Sequence, residues 1–86
     1  MQITDVKVRK VLNEGRMKAV VSVTFDDAFV VHDIKVVEGK SGLFVAMPSR
    51  RRPNGDFRDV AHPITPDARR QLEEAVLSAY NSALQQ

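Results

Sequence analysis

Six arginines lie between Met47 and Arg70, and this residue type is suited to binding phosphate. The guanidinium group is planar and permanently charged, and its five N–H donors form a fork that matches phosphate oxygens and the edge of guanine. Three of the arginines are consecutive, which places several such forks close together in the chain. The candidate phosphate-binding residues of this segment are Arg50, Arg51, Arg52, Arg58, Arg69 and Arg70.

The positive charge of the chain is concentrated rather than spread. The 86 residues include 13 Lys and Arg and 11 Asp and Glu, which gives a formal net charge of +2. Residues 39–55 contain no acid but hold Lys40 and the three consecutive arginines, so four cations lie there unopposed. A stretch of one sign indicates a polyanionic partner more strongly than the total charge does. Lys40 is therefore a seventh candidate contact to phosphate.

A second interpretation of the arginines is an ion-paired surface exposed to solvent. Carboxylates lie nearby in sequence, and ion pairs of this kind contribute little stability individually. From the residues alone, phosphate binding and a solvated surface are equally supported. The acids that would pair with the arginines are Asp56, Asp59, Asp67, Glu73 and Glu74.

The residues that most enzymes and metal sites require are scarce. The chain has no cysteine and two histidines, so thiolate chemistry and a structural zinc site are not expected. His32 and Asp33 are neighbours on a predicted strand, where adjacent side chains point to opposite faces. The stretch EGKSG at 38–42 lacks the first glycine of a phosphate-binding Walker loop, since Ile34 occupies that position. We therefore expect no enzymatic activity, no cofactor, no metal and no small-molecule substrate.

Hydrophobic periodicity predicts strands followed by one helix. Apolar and polar residues alternate clearly in the second strand, and Leu72, Val76 and Tyr80 recur at helical spacing after a capping sequence at Thr65 and Pro66. The order predicts a single α+β domain over residues 1–86, with a small, mostly antiparallel sheet of four to five strands and one long C-terminal helix. The predicted strands are 3–11, 17–25, 29–37, 43–47 and 57–61, and the predicted helix is 66–84.

These elements place the arginines in a loop and at a helix start. Pro48 ends the fourth strand because it cannot donate to the ladder, and the sequence PNGD at 53–56 is typical of a turn. Residues 50–58 are predicted to form a flexible hairpin loop lined by arginine, with 57–61 returning beside 43–47. Arg69 and Arg70 lie near the first helical turn, where a bound anion would offset their unfavourable interaction with the helix dipole.

The five aromatic residues are predicted to lie mostly in the core. The stretch SGLFVAM at 41–47 is weakly similar to the strand motif of RNA-recognition domains, but that motif requires exposed aromatics and only Phe44 is present. A core strand is the better interpretation, so base stacking is not expected to contribute affinity. A single helix also excludes a helix-turn-helix.

The stretch FVVHDIKVVEGKSGLFVAMPSRRRPNGDFRDVAHPI, residues 29–64, closely resembles the stage V sporulation protein G (SpoVG) family, as do TDVKVRKV at 4–11 and GRMKA at 15–19. The resemblance implies a small bacterial cytoplasmic dimer with an antiparallel sheet and a C-terminal helix. It also implies a role in septation and sporulation, and regulation through binding to DNA or RNA. Arg50, Arg51 and Arg58 match basic family positions. Arg52 stands where the family commonly has a neutral residue, and Arg69 and Arg70 are candidates by position only.

Together these observations predict a homodimeric, non-enzymatic nucleic-acid-binding regulator. The N-terminus lacks the apolar core of a signal peptide and no apolar run is long enough to span a membrane, so a cytoplasmic protein is expected. The dimer would form by pairing a strand edge, 43–47 or 57–61, across a two-fold axis. The rival hypothesis is a protein-interaction module in division or regulation with no specific nucleic-acid target.

Overall fold

The computed structural model describes residues 2–12 and 15–85 and consists of one sheet, one hairpin and one helix. A four-stranded antiparallel sheet has the strand order β1-β2-β3-β4, so that β1 and β4 are its edges. The predicted α+β fold class is confirmed. The elements are β1 (Ile3–Val11), β2 (Met17–Phe25), β3 (Phe29–Gly39), β4 (Gly42–Ala46), β5 (Ser49–Arg51), β6 (Phe57–Asp59) and α1 (Pro66–Leu84).

The helix packs across one face of the sheet. Thr65 caps α1 as its sequence predicts, because its hydroxyl accepts a hydrogen bond from the Ala68 amide at 3.1 Å. The apolar stripe of the helix meets residues of all four strands, and those of β1 that pack against the core are only partly buried. Burial of this single layer is the main source of stability in so small a fold. The core consists of Ala19, Val21, Val23, Phe25, Ile34, Val36, Val45, Met47, Leu72, Val76 and Tyr80.

No helix of residues 2–12 and 15–85 covers the opposite face of the sheet, which we call the open face. Its members alternate with the core residues: Lys7 lies opposite Ser22, and Val20 lies between Lys10 and Lys35. The chain thus presents cations on the side of the sheet that the helix leaves uncovered. Among the described residues, no helix combines the length and the apolarity that crossing a bilayer requires.

The arginine segment differs from its predicted loop. Arg50 and Arg51 lie in a strand, β5, which pairs with β6 in a separate two-stranded sheet. Residues 57–61 therefore do not return beside β4; β6 ends at Asp59, and the Val60 amide bonds the Pro48 carbonyl at 2.8 Å. Pro48 breaks the ladder after β4, which lets the chain leave the large sheet before it pairs again.

Candidate nucleic-acid interface

A tight turn joins β5 to β6 and fixes the register of the arginine hairpin, residues 49–59. The Gly55 amide bonds the Arg52 carbonyl at 2.9 Å, and the Arg52 amide bonds the Asp56 carbonyl at 2.6 Å. Pro53 supplies the fixed φ of the turn and Gly55 the positive φ, +94°, as the sequence PNGD predicts. The Asn54 side chain accepts from the Asp56 amide at 3.0 Å. The hairpin is therefore locally ordered rather than a flexible loop.

The register divides the arginines between the two faces of the hairpin. Arg50 lies directly opposite Arg58, whereas Arg51 lies opposite Phe57. Because side chains alternate along a strand, Arg50 and Arg58 share one face while Arg51 and Phe57 share the other. Like charges placed directly across a ladder are destabilising, so the Arg50–Arg58 pair works against the fold.

The arginines of the hairpin have no ionic partner within residues 2–12 and 15–85. The salt bridges in those residues join Lys18 to Glu38 at 3.8 Å and Arg70 to Asp67 at 3.1 Å. The predicted ion-paired surface therefore forms at Arg70 and not at the hairpin. A shallow concavity of about 390 Å³ lies between the hairpin side chains, lined by Arg50, Arg51, Arg52, Pro53, Arg58, Asp59 and Val60. Four guanidinium groups around one concavity can bind an anion.

The remaining candidates are separated from the hairpin or already engaged. Lys40 lies in the turn between β3 and β4, at the opposite end of β4 from the hairpin. The five residues of β4 span about 17 Å, too far for Lys40 to share a phosphate with Arg50. Arg69 and Arg70 are exposed in the first turns of α1, and Arg70 is engaged by Asp67. The structure thus brings together four of the seven candidates.

A polar network on the open face was not foreseen from the sequence. The Arg9 Nε donates to the Ser22 Oγ at 3.2 Å, and the same oxygen lies 2.8 Å from the His32 Nδ1. Ser22 is only 4% exposed, so its hydroxyl is covered by its two partners and is not placed to attack a substrate. A bulge creates this contact: His32 and Asp33 together oppose Ser22, and Asp33 has a positive φ of +62°.

The prediction that the aromatic residues lie mostly in the core is wrong for three of the five. Phe25 and Tyr80 are buried, but Phe29, Phe44 and Phe57 are exposed. Phe44 is 45% exposed because β4 is covered by the helix on one face only, and Val45 occupies that face. The continuous apolar run at 43–47 therefore marks an edge strand, not one buried on both sides.

Comparisons with known proteins give one consistent family. A family model described as SpoVG matches residues 1–82. A protein of Desulforudis audaxviator named "Putative septation protein SpoVG" is 70% identical over 80 residues, which cover 93% of this chain and 91% of the relative. The protein of the same name from Heliobacterium modesticaldum is 70% identical over 84 residues, 98% of this chain and 94% of the relative. The one from Clostridium botulinum strain Alaska E43 is 60% identical over 86 residues, 100% of this chain and 94% of the relative.

Proposed function

We propose, given that the chain belongs to the SpoVG family, that it is a non-enzymatic regulator which binds nucleic acid through the arginine hairpin. Relatives that are 60–70% identical carry the name of a septation protein, which connects the family to cell division. The hairpin would supply the charge that holds a phosphate backbone. No nucleophile, base and orienting group come together in the described residues at a site a substrate could reach, so the proposal includes no reaction.

The observation that carries the proposal is that Arg50 lies directly opposite Arg58 and that no carboxylate within residues 2–12 and 15–85 pairs with either. Two guanidinium groups on one face of a ladder repel each other, and a fold gains nothing from placing them there. An anion between them would turn the repulsion into two charge-assisted contacts. Phosphate groups of a nucleic acid are anions that recur at short intervals along a polymer, and a two-stranded ribbon fits the major groove of a duplex.

The experiment that tests this proposal measures the salt dependence of duplex binding. If Arg50, Arg51 and Arg58 of two protomers each touch a phosphate, the slope of log K against log salt is roughly −5. The variant Arg50→Gln with Arg58→Gln removes the two arginines that share a face. Because two phosphate contacts per protomer are lost, the magnitude of the slope should fall by about two per protomer. The measurement is fluorescence anisotropy of a labelled 12-base-pair DNA between about 50 and 200 mM salt, a range over which six or more phosphate contacts weaken binding about a thousandfold or more.

The matched control removes two cations from the open face. Lys7→Gln with Lys10→Gln lowers the net charge by the same amount, and both lysines lie on β1, at the edge of the sheet opposite β4. This variant should keep the wild-type slope on the duplex. Equal slopes in wild type and in the hairpin variant, or equal losses in the two double variants, would refute the hairpin as the binding surface.

We also propose that the protein is a homodimer that pairs the outer edge of β4 across a two-fold axis. Edge pairing leaves no unpaired ladder on that side and hides Leu43, a large apolar residue of β4 that is 39% exposed. Antiparallel pairing about an axis perpendicular to the sheet would keep both open faces on one side and present two hairpins to one ligand. Sedimentation equilibrium gives the dissociation constant directly.

An apolar groove favours the second candidate function, a protein-interaction module. The groove, about 460 Å³ in volume, lies where the end of the sheet meets the start of α1. Its walls include Phe29, Met47 and Ile64, and both Phe29 and Ile64 are largely exposed. The wild-type chain should capture a partner protein that stays bound after nuclease treatment. The variant Ile64→Gln should abolish that capture while leaving duplex binding intact. Capture that disappears with nuclease would reject this function.

A further inference from the structure

The open face of the four-stranded sheet carries a second group of cations, most of them on β1, at the edge of the sheet opposite β4. Lys7, Arg9 and Lys10 extend from β1 and Lys35 from β3, on the side of the sheet opposite α1. No carboxylate within residues 2–12 and 15–85 lies within salt-bridge distance of any of these four. Of the described acids near them in sequence, Glu38 engages Lys18, while Asp5 and Asp33 lie two residues from Lys7 and Lys35 without forming a salt bridge. Within the described part of the chain, these four cations are therefore not neutralised by an ion pair.

Arg9 is held in a fixed orientation. Its Nε donates to the buried Ser22 Oγ, and the hydroxyl of Ser22 in turn can donate to the His32 Nδ1. In this arrangement the Ser22 hydroxyl accepts one hydrogen bond from Arg9 and donates one to His32. Both terminal nitrogens of Arg9 and the Nε2–H of His32 remain as donors for a ligand. A cation positioned in this way loses less side-chain entropy when it binds a ligand than a free lysine does. The network spans β1, β2 and β3 and so fixes the middle of the face.

An exposed aromatic ring completes the surface at the β4 edge. Phe44 is opposite Val37, and its ring lies against the backbone of Gly39, where an added Cβ would be 3.0 Å from the Phe44 Cε1. The missing side chain at Gly39 thus makes room for the ring on the sheet. From Lys10 in β1 to Phe44 in β4 the surface crosses three strand spacings, about 14 Å.

We infer that this open face binds single-stranded nucleic acid, with Phe44 stacking on a base and the cations of β1 and β3 following the backbone. Bases in a duplex hide their faces in the stack, whereas a single strand offers each base to a ring. A basic surface with an exposed aromatic is the arrangement that binds single strands, and a four-stranded sheet has room for two or three bases. The inference extends the proposed function to a second surface and a different form of nucleic acid.

The test compares two probes and two phenylalanine variants. The probes are a labelled 12-nucleotide RNA of mixed sequence without self-complementarity and the 12-base-pair DNA duplex used for the hairpin. Phe44→Leu keeps an apolar edge residue but removes the ring, so single-strand affinity should fall about 5- to 150-fold while duplex affinity is unchanged. Phe57→Leu is the matched control, because Phe57 is also exposed, at 71%, but lies on the hairpin. It should leave single-strand affinity at the wild-type value.

The charge variants separate this inference from the proposed function. Lys7→Gln with Lys10→Gln should reduce the magnitude of the salt slope for the single strand by about 1.4 per bound protomer. Arg50→Gln with Arg58→Gln should leave at least that part of the slope unchanged. Unchanged RNA affinity in Phe44→Leu overturns the inference, even if the hairpin variant loses the duplex. If Phe44→Leu loses RNA binding while the hairpin variant binds the duplex as wild type does, the inference is supported. The same result rejects the hairpin as the duplex-binding surface. Amide chemical shifts on RNA titration give a second measurement: changes confined to the hairpin would contradict an open-face site.

Discussion

The two edge strands of the large sheet are built in opposite ways. β1 has two irregularities in its register and presents Lys7, Arg9 and Lys10 along its length. β4 pairs regularly with β3 over all five of its residues, GLFVA, and contains no charge. Bulges and charged side chains are the means by which natural sheets prevent edge-to-edge pairing. The difference indicates that one edge is protected against a further strand and the other is available to one.

Side chains reinforce the same contrast. The start of β1 is bound to the turn after β2, since the Asp26 amide bonds the Gln2 carbonyl at 2.8 Å and the Asp27 amide bonds the Thr4 hydroxyl at 2.9 Å. Arg9 adds a bond to Ser22 on the open face. Among the described residues, no side-chain hydrogen bond attaches β4 to the sheet, so its ladder with β3 and the burial of Val45 hold it in place. A partner on its outer edge would compensate for these weaker attachments.

The largest expected effect comes from placing a charge on the unprotected edge. Leu43→Lys should raise the dissociation constant of the dimer by on the order of a hundredfold, because two like charges would approach across the two-fold axis. Val11→Lys is the matched control: Val11 is 40% exposed on β1 and Leu43 is 39% exposed on β4. Sedimentation equilibrium should show the control unchanged. A larger effect of Val11→Lys than of Leu43→Lys would reverse the comparison and assign the interface to β1.

A smaller but still substantial effect is expected from the single core residue of β4. Val45 is 7% exposed against the helix face, and Val45→Ala should lower the free energy of unfolding by about 2 kcal/mol, from lost burial and an incompletely filled cavity. Val8→Ala on β1 is the comparison, and since Val8 is only half-buried it should cost about half as much. Urea denaturation measures both. Equal losses would mean that β4 depends on its core contact no more than β1 does.

The sequence was sufficient to predict the elements that have a clear hydrophobic pattern or a capping sequence. Clear alternation in the second strand and the short turn at 26–28 predict the hairpin of β2 and β3, and the Thr65–Pro66 cap with the apolar stripe after it predicts α1. It could not distinguish a buried strand from an edge strand, because a continuous apolar run such as 43–47 has no period to show which side is covered. For that reason the sequence predicts Phe44 in the core, whereas the strand order and register place it on the open face.

The clustering of arginines in the sequence identifies the residues of the candidate site, but it does not predict how they are arranged in space. Runs of arginine carry no strand pattern, and a strand of three residues such as β5 is too short for alternation to be visible. The opposition of Arg50 and Arg58 depends on register, which the turn at 53–56 sets. The Arg9–Ser22–His32 network depends on a bulge with Asp33 at positive φ, a conformation that no local sequence motif marked.

The next effect tests how the protected edge is attached. Ser22→Ala removes the oxygen shared by Arg9 and His32, and should lower the free energy of unfolding by about 1 kcal/mol, the usual net value of a hydrogen bond. Hydrogen exchange should accelerate at the amides of β1 and remain at wild-type rates in β4. Ser49→Ala is the matched control, because Ser49 is an exposed strand serine on the hairpin, and it should change neither quantity. Faster exchange in β4 would show that the network does not act on β1 specifically.

The smallest expected effect is on the free energy of unfolding, and it depends on which residue lies opposite each cation in β1 and in the hairpin. On β1 each lysine faces an uncharged residue, Lys7 opposite Ser22 and Lys10 opposite Val20, so the edge is charged without repulsion across the ladder. Beyond β4, Arg50 faces Arg58 directly. Arg58→Thr should therefore raise the free energy of unfolding by about 0.2–1 kcal/mol, whereas Lys7→Thr should leave it within error. The gain should diminish at high salt, which screens the repulsion between exposed groups. Thermal unfolding at about 0.05 and 1 M salt measures it, and a loss of stability in Arg58→Thr would show that the opposed arginines support the hairpin instead of straining it.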